Sequence, residues 1–188
     1  ENLLGKPNGA LEVFNTMMIP ERLGTAAMTI GAARPALEVA GSYSMKRKAF
    51  GQPINRFQGV SFQVAEAAML LDACRSLVYT TSLSVDRGAD PNTVRRLVSE
   101  TKRFVTESCQ KVARNAMQVM GGIGYTNVFP IERIVRDLGL ASIWTGTNEV
   151  MSMIIAHEWY AEHARTGSVR NVEADAPEAL AEGEKIFD

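Results

Sequence analysis

Apolar residues recur at three- and four-residue spacing along nearly the whole sequence, the period of a single helix face. Pro7-Asn8-Gly9 reads as a turn, and a short apolar run follows from Ala10 to Met18. Pro20 suits the first position of a helix, where its missing N–H would be unpaired anyway. A long helix is expected from there to about Lys48, with Leu23, Ala27, Ile30, Ala33, Leu37, Ala40 and Tyr43 on one face. Pro35 should kink it. Gly24, Gly31 and Gly41 suggest close approach by another backbone or a ligand. A second long helix fits Phe57 to Arg87, with Val60, Val64, Ala67, Leu71, Cys74 and Val78 in phase. Gly88-Ala89-Asp90-Pro91 is a stop followed by a start. A third helix runs from about Asn92 to Met120, carrying Val94, Val98, Val105, Val112 and Val119. Gly121-Gly122-Ile123-Gly124 ends it. A shorter helix covers Ile131 to Leu138, and a last one runs from Thr147 to Arg165. Long helices joined by short loops, with no strand series and no internal repeat, predict an all-α fold: an up-down four-helix bundle. Most of the methionines, Met17, Met28, Met69 and Met153 among them, sit at spacing that suits core filling.

Composition sharpens this picture by exclusion. In 188 residues, 46% are hydrophobic, enough for a sizeable core. The net charge of −1 leaves no broad basic footprint for nucleic acid. Cys74 and Cys109 are isolated and read as buried thiols of a reducing compartment. His157 and His163 lie six apart, off one helical face, so no metal site is expected. No apolar run reaches the length of a membrane span. A cytoplasmic location is expected, with a mitochondrial matrix location left open by the Glu1 start. Residues 171–188 carry a charge of −5, leaving +4 on the rest, and read as an acidic extension beyond the helical domain of residues 1–165.

Three clusters of chemistry-bearing residues fall at inter-helix corners. The first is Lys46-Arg47-Lys48-Ala49-Phe50-Gly51-Gln52, followed by Gln58. Cations suit a helix C-terminus. The planar fork of Arg47 also suits phosphate oxygens, and Phe50 offers a flat wall. The second is Gln118-Val119-Met120-Gly121-Gly122-Ile123-Gly124-Tyr125, with more glycine than a helix cap needs. It permits a backbone to lie against a flat ligand, but it is no dinucleotide fingerprint, having neither the third glycine nor a preceding strand. The third is Ile143-Trp144-Thr145-Gly146-Thr147-Asn148-Glu149, where Thr147 can cap the last helix and the first-turn N–H groups favour anions.

In this order and spacing, these clusters resemble the C-terminal domain of the acyl-CoA dehydrogenase family. Arg47-x-x-Phe50-Gly51-Gln52-Pro53-Ile54 with Phe57-Gln58, Gln118-x-x-Gly121-Gly122-Ile123-Gly124-Tyr125, and Arg136-Asp137 followed by Ile143-x-x-Gly146-Thr147-x-Glu149 carry the resemblance. It implies a flavoenzyme that oxidises an acyl-CoA thioester to the 2,3-enoyl-CoA and passes electrons to an electron-transfer flavoprotein. It also implies roles for single residues. Arg47, Phe50, Gln58, Gln118, Gly121 and Gly122 match positions that hold FAD, largely that of a neighbouring subunit. Thr147 and Glu149 match positions on the subunit's own FAD, and Arg22 and Gly146 line the acyl-CoA site. Family members are about twice this length, with an N-terminal helical domain and a middle β domain that this sequence lacks. The 188 residues alone should therefore show little catalysis, and a homodimer or homotetramer is implied.

The catalytic base departs from the commonest pattern. Many members place a glutamate just before the Gly-Thr pair, where this sequence has Thr145. A subset resembling the isovaleryl and long-chain enzymes carries it on the long first helix. That residue corresponds to Glu21, 26 positions before Arg47. Glu21 is the expected base, and a surface glutamate in a first helical turn is the competing reading. With Thr145 at the usual position, two alternatives stand beside the enzyme: a half-site subunit of a mixed oligomer, and a helical oligomerisation module.

Overall fold

The computed structural model describes residues 2–166; the acidic extension expected at 166–188 falls, but for its first residue, outside the described residues. The described chain folds as five α-helices and one very short hairpin. Helix α1 spans Ala10–Lys46, and strands β1 (Lys48–Ala49) and β2 (Gln52–Pro53) follow it. After a 3-10 turn at Ile54–Arg56 come α2 (Gln58–Asp86), α3 (Pro91–Met120), α4 (Ile131–Ala141) and α5 (Asn148–Thr166). Side-chain pairings fix the directions. Ala26 and Ala33 of α1 pack with Val105 and Cys109 of α3, while Ala36 and Ala40 pack with Ala116 and Val119, so α1 and α3 run parallel. Thr81 of α2 meets Thr101 at 2.7 Å, and Glu66 meets Lys111, so α2 returns antiparallel. Arg95 binds Glu158 at 2.7 Å and Arg103 binds Ser152, so α5 also runs against α3. The result is the expected up-down bundle, with α3 in contact with each of the other four helices.

Four local expectations are corrected. The Ala10–Met18 run and the helix expected to start at Pro20 are one continuous α1, which passes through both Pro20 and Pro35. Both prolines and the residues whose carbonyls they orphan, Thr16 and Gly31, lie on the exposed face, where water can satisfy the freed oxygens. Met18 and Arg22, on either side of Pro20, are both buried, so packing overrides the local break.

The face of α1 that packs is also rotated from the expected one. Its buried stripe is small and partly polar: Thr25, Ala26, Thr29, Ala33, Ala36 and Ala40. Leu23, Ile30, Leu37 and Tyr43 sit half-buried on the shoulders. Small residues let the α1 and α3 backbones approach closely, and the larger side chains flank the seam. Gly24, Gly31 and Gly41 have no part in this, since a Cβ at any of them would meet nothing within 4 Å.

The methionines divide. Met18, Met120 and Met151 are buried, whereas Met17, Met28, Met69 and Met153 are exposed. Cys74 and Cys109 are buried free thiols, as expected. The Asp90 and Pro91 start signal is realised: Asp90 Oδ2 accepts from Thr93 N at 3.0 Å, and Pro91 takes the first turn.

Candidate functional site

The structure gathers the sequence-predicted residues into two separate corners. The first lies where α1 ends beside the end of α3. The Arg47 N–H donates to Tyr43 O at 2.8 Å, and its carbonyl accepts from Ile54 N at 2.9 Å. Its guanidinium remains exposed, with no ion-pair partner among the described residues. Arg47 shares a cleft of about 450 Å³ with Tyr43, Ile54, Gln118, Gly121 and Gly122. Gly121 has φ 65, open to glycine at no steric cost, and neither it nor Gly122 has a neighbour within 4 Å of an added Cβ. Gly124 differs. A Cβ there would lie 2.9 Å from Met120 Cβ, so it serves internal packing.

Phe50 and Gln58 do not line the cleft. Phe50 and Gly51 form the two-residue turn between β1 and β2, with φ 49 and 81, the signs of a type I′ hairpin. Phenylalanine rarely adopts that conformation. Here it leaves the ring 96% exposed, propped edge-on against Phe57 at 6.0 Å. Gln58 opens α2 and is exposed.

The second corner is the connection from α4 to α5. Thr145 and Gly146 both have positive φ, 54 and 94. A β-branched residue in that region is a genuine outlier. The positive φ is what favours glycine at 146; a Cβ there would also lie 2.8 Å from Met151 Cε, the end of a flexible side chain that can shift. Their carbonyls turn inward: Arg22 Nε donates to Thr145 O at 3.2 Å, and Lys102 Nζ donates to Gly146 O at 2.8 Å. Because C=O and N–H point oppositely across a trans peptide, the Gly146 and Thr147 N–H groups face away from those cations. The N–H groups of residues 145–147 have no acceptor among the described residues. Thr145 Oγ1 is buried and unpartnered. Thr147 caps α5 as expected, its Oγ1 accepting from Val150 N at 3.4 Å. Glu149, in the first turn, is held below the usual carboxylate range by its own backbone N–H and by the Thr147 hydroxyl.

Arg22 is buried, and burial together with the nearby Arg95 lowers its pKa. Glu21, one residue earlier on α1, is exposed and unpaired among the described residues. Sequence reasoning missed Lys102 and Thr106, which lie beneath this corner with Asn148. Lys102 is fully buried, donates also to Asn148 Oδ1 at 2.9 Å, and is pushed down to about 8, first by burial and then by Arg22. Asn148 Nδ2 donates to Thr106 Oγ1 at 3.1 Å. The signal was present: Lys102 falls four residues after Val98 and three before Val105, in the buried phase of α3.

Among the described residues, no group of His, Cys, Asp and Glu could hold a metal ion, and no helix is long and apolar enough to cross a membrane.

Residues 9–159 match the family described as acyl-CoA dehydrogenase, C-terminal domain. An acyl-CoA dehydrogenase of Bacillus subtilis is 37% identical over 155 residues, 82% of this chain and 40% of that protein. Butyryl-CoA dehydrogenase from Megasphaera elsdenii superposes with a TM-score of 0.80 at 31% identity, covering 85% of this chain and 41% of its own. A chain from a structure of the electron transferring flavoprotein of Acidaminococcus fermentans, described in terms of flavin-based electron bifurcation, gives 0.80 at 32% identity, over 84% and 41%. The chain thus spans about 40% of the length of the relatives it matches.

Proposed function

The chain belongs to the acyl-CoA dehydrogenase family, matching its C-terminal domain, and from that premise we propose that it is the helical part of an FAD-dependent acyl-CoA dehydrogenase. The reaction is α,β-dehydrogenation of an acyl-CoA thioester to the 2,3-enoyl-CoA, with electrons passed to an electron-transfer flavoprotein. The observation that carries this reading is the Thr145–Gly146 turn. Buried cations hold its carbonyls, its N–H groups face outward, and a free carboxylate, Glu21, stands one residue from Arg22.

The residues present fit FAD. The Arg47 cleft offers an unpaired guanidinium and a glycine surface bare of side chains, which suits a pyrophosphate and a flat ring. Phe50 lies outside that cleft and offers a separate exposed aromatic face. Arg22 and Arg47 are 25 residues apart in sequence, a span of about 37 Å along helical geometry. One dinucleotide would not bridge both corners. Following the family resemblance, the Arg47 corner, with Phe50, Gln58, Gln118, Gly121 and Gly122, serves largely the FAD of a neighbouring subunit, and Thr147 and Glu149 serve the subunit's own. Exposed Phe62, Met69 and Leu83 on α2 support such self-association into a homodimer or homotetramer.

FAD, when bound, supplies the hydride acceptor. The chain's own part is proton removal and charge stabilisation. Glu21 takes the proton from the carbon next to the thioester, in a site that substrate and the rest of the protein would dry. The outward N–H groups of the turn offer donors to the oxygen where negative charge develops. Arg22 and Gly146 line the acyl-CoA site. The buried free thiols accord with a reducing, cytoplasmic setting.

Anaerobic titration of the full-length flavoprotein with a panel of acyl-CoAs tests the reading. Bleaching of the flavin is expected, and absence of flavin or of bleaching refutes it. Glu21→Gln should lower the bleaching rate by about a thousandfold while FAD stays bound. Retained turnover would reassign the base, and Thr145→Glu in that background would show whether the position before Gly146 can substitute.

A further inference from the structure

The second corner contains an arrangement that the reaction as described leaves unused. A buried ammonium normally faces a carboxylate, because an unpaired charge in the interior is strongly disfavoured. Lys102 is fully buried, yet no carboxylate lies within ion-pair distance among the described residues. Its two recorded partners are a backbone carbonyl, Gly146 O at 2.8 Å, and the amide oxygen of Asn148 at 2.9 Å. Both acceptors belong to the segment that forms the turn and opens α5. Arg22 repeats the pattern from α1, spending a buried guanidinium on Thr145 O. The turn they hold is the least relaxed backbone of this corner, with a β-branched residue at φ 54 followed by φ 94. Conformations of this kind persist only when the surroundings over-determine them.

We propose that Lys102 is a positioning residue for the acyl-CoA site: through Gly146 O and Asn148 Oδ1 it fixes the Thr145–Gly146 turn, and with it the direction of the turn's free N–H groups. The assignment rests on the acyl-CoA reading above. Lys102 touches neither substrate nor flavin. It acts through two carbonyls that would otherwise be free to rotate, and a rotated peptide would carry its N–H away from the substrate. Asn148 makes the arrangement specific. Its Oδ1 accepts from Lys102, its Nδ2 donates to Thr106, and its own N–H closes the loop onto Ser142 O at 3.0 Å. Charged neighbours face the ammonium from three helices: Arg22 on α1, Glu107 on α3 and Glu149 on α5.

The test compares the unaltered FAD-loaded protein with Lys102→Met, which keeps the length of the stem and removes the donors. Three quantities are read: FAD content, hydrogen exchange of the Asn148 amide, and the limiting rate and half-saturation of anaerobic bleaching by butyryl-CoA and octanoyl-CoA. FAD content should be unchanged. The Asn148 amide should exchange about tenfold faster. The limiting rate should fall by about a hundredfold while half-saturation moves far less, as expected for a misplaced group acting in the transition state. A variant that only lost stability would bleach normally well below its melting temperature. Unchanged exchange, or faster exchange with a normal limiting rate, overturns the proposal. If Lys102→Met does not fold, Asn148→Ala removes one of the ammonium's two acceptors. The same two quantities should then move in the same direction by a smaller factor, and no movement overturns the proposal. If neither acyl-CoA bleaches the unaltered protein, the functional reading fails and takes the link to substrate with it. The exchange measurement then still decides whether Lys102 holds the turn.

Discussion

At the Thr145–Gly146 corner the polar groups turn inward, while at the Arg47–Gly121 corner they are left outward. In the first, two buried cations, an amide and a hydroxyl satisfy one another around a left-handed turn. In the second, Arg47 stands without an ion-pair partner among the described residues, over glycines with open space above them. The inward corner is organised before any ligand arrives, which is the arrangement that favours transition-state electrostatics. On the reading proposed above, the outward corner is a half-surface for the flavin of a neighbouring subunit. Changes to the backbone of the first turn should therefore cost stability, whereas changes at the second corner should spare it and weaken ligand retention.

A matched pair of glycine substitutions offers the sharpest way to break that contrast. Gly146→Ala must hold a side chain at φ 94 and should cost up to about 3 kcal/mol of folding stability through backbone strain, Met151 Cε being able to move aside. Gly122→Ala meets nothing and should cost under about 0.5 kcal/mol while weakening FAD retention. Denaturant unfolding of both variants decides the matter; equal losses would erase the distinction. Next in size, Arg47→Ala should leave stability nearly unchanged and loosen FAD by about 1.5–3 kcal/mol, the worth of a hydrogen bond to a charged group. Flavin dissociation read by fluorescence checks this.

A third effect is a pH dependence confined to the inward corner. Lys102 titrates near about 8 in the folded protein against an ordinary value of 10.5. Between those values the unfolded chain holds a proton that the folded chain has released, so this group makes stability rise with pH across that window. Below about pH 8 both states are charged, and burial of the charge opposes folding by a constant amount. Lys102→Met should flatten the rise in a pH series of urea midpoints. Its own stability should lie near that of the unaltered protein, since removal of a buried charge offsets the loss of donors to Gly146 O and Asn148.

Much of this could be read from the sequence, and what could not has physical causes. The period of α3, the Asp90–Pro91 start and the glycine stop at Gly121 are local signals, and the structure keeps them. The fusion of α1 across Pro20 could not be read locally. It depends on Met18 and Arg22 both finding α3, which is tertiary packing. The Thr and Ala stripe of α1 was hidden because apolar periodicity weights large side chains, whereas a close helix seam selects small ones. Gly24, Gly31 and Gly41 looked like contact points and are open in this chain. At the candidate sites, the motifs located Arg47, Gln118, Gly121, Gly122, Gly146 and Thr147, and the structure sorted them into two corners. Lys102 escaped notice because a lysine in the buried phase of a helix reads as an interruption until its acceptors, 44 and 46 residues away, are placed beside it.

The unbroken course of α1 has a further consequence. Because it stays one continuous helix through both prolines, its residue count sets the spacing and angular phase between the residues near its start and those just past its end. Each residue inserted or deleted between Arg22 and Arg47 would shift one end by about 1.5 Å and turn it by about 100° relative to the other. An insertion or deletion in this stretch would therefore put the Arg22 and Arg47 corners out of step, whereas a substitution at an exposed position without a role in either corner would leave their relation intact.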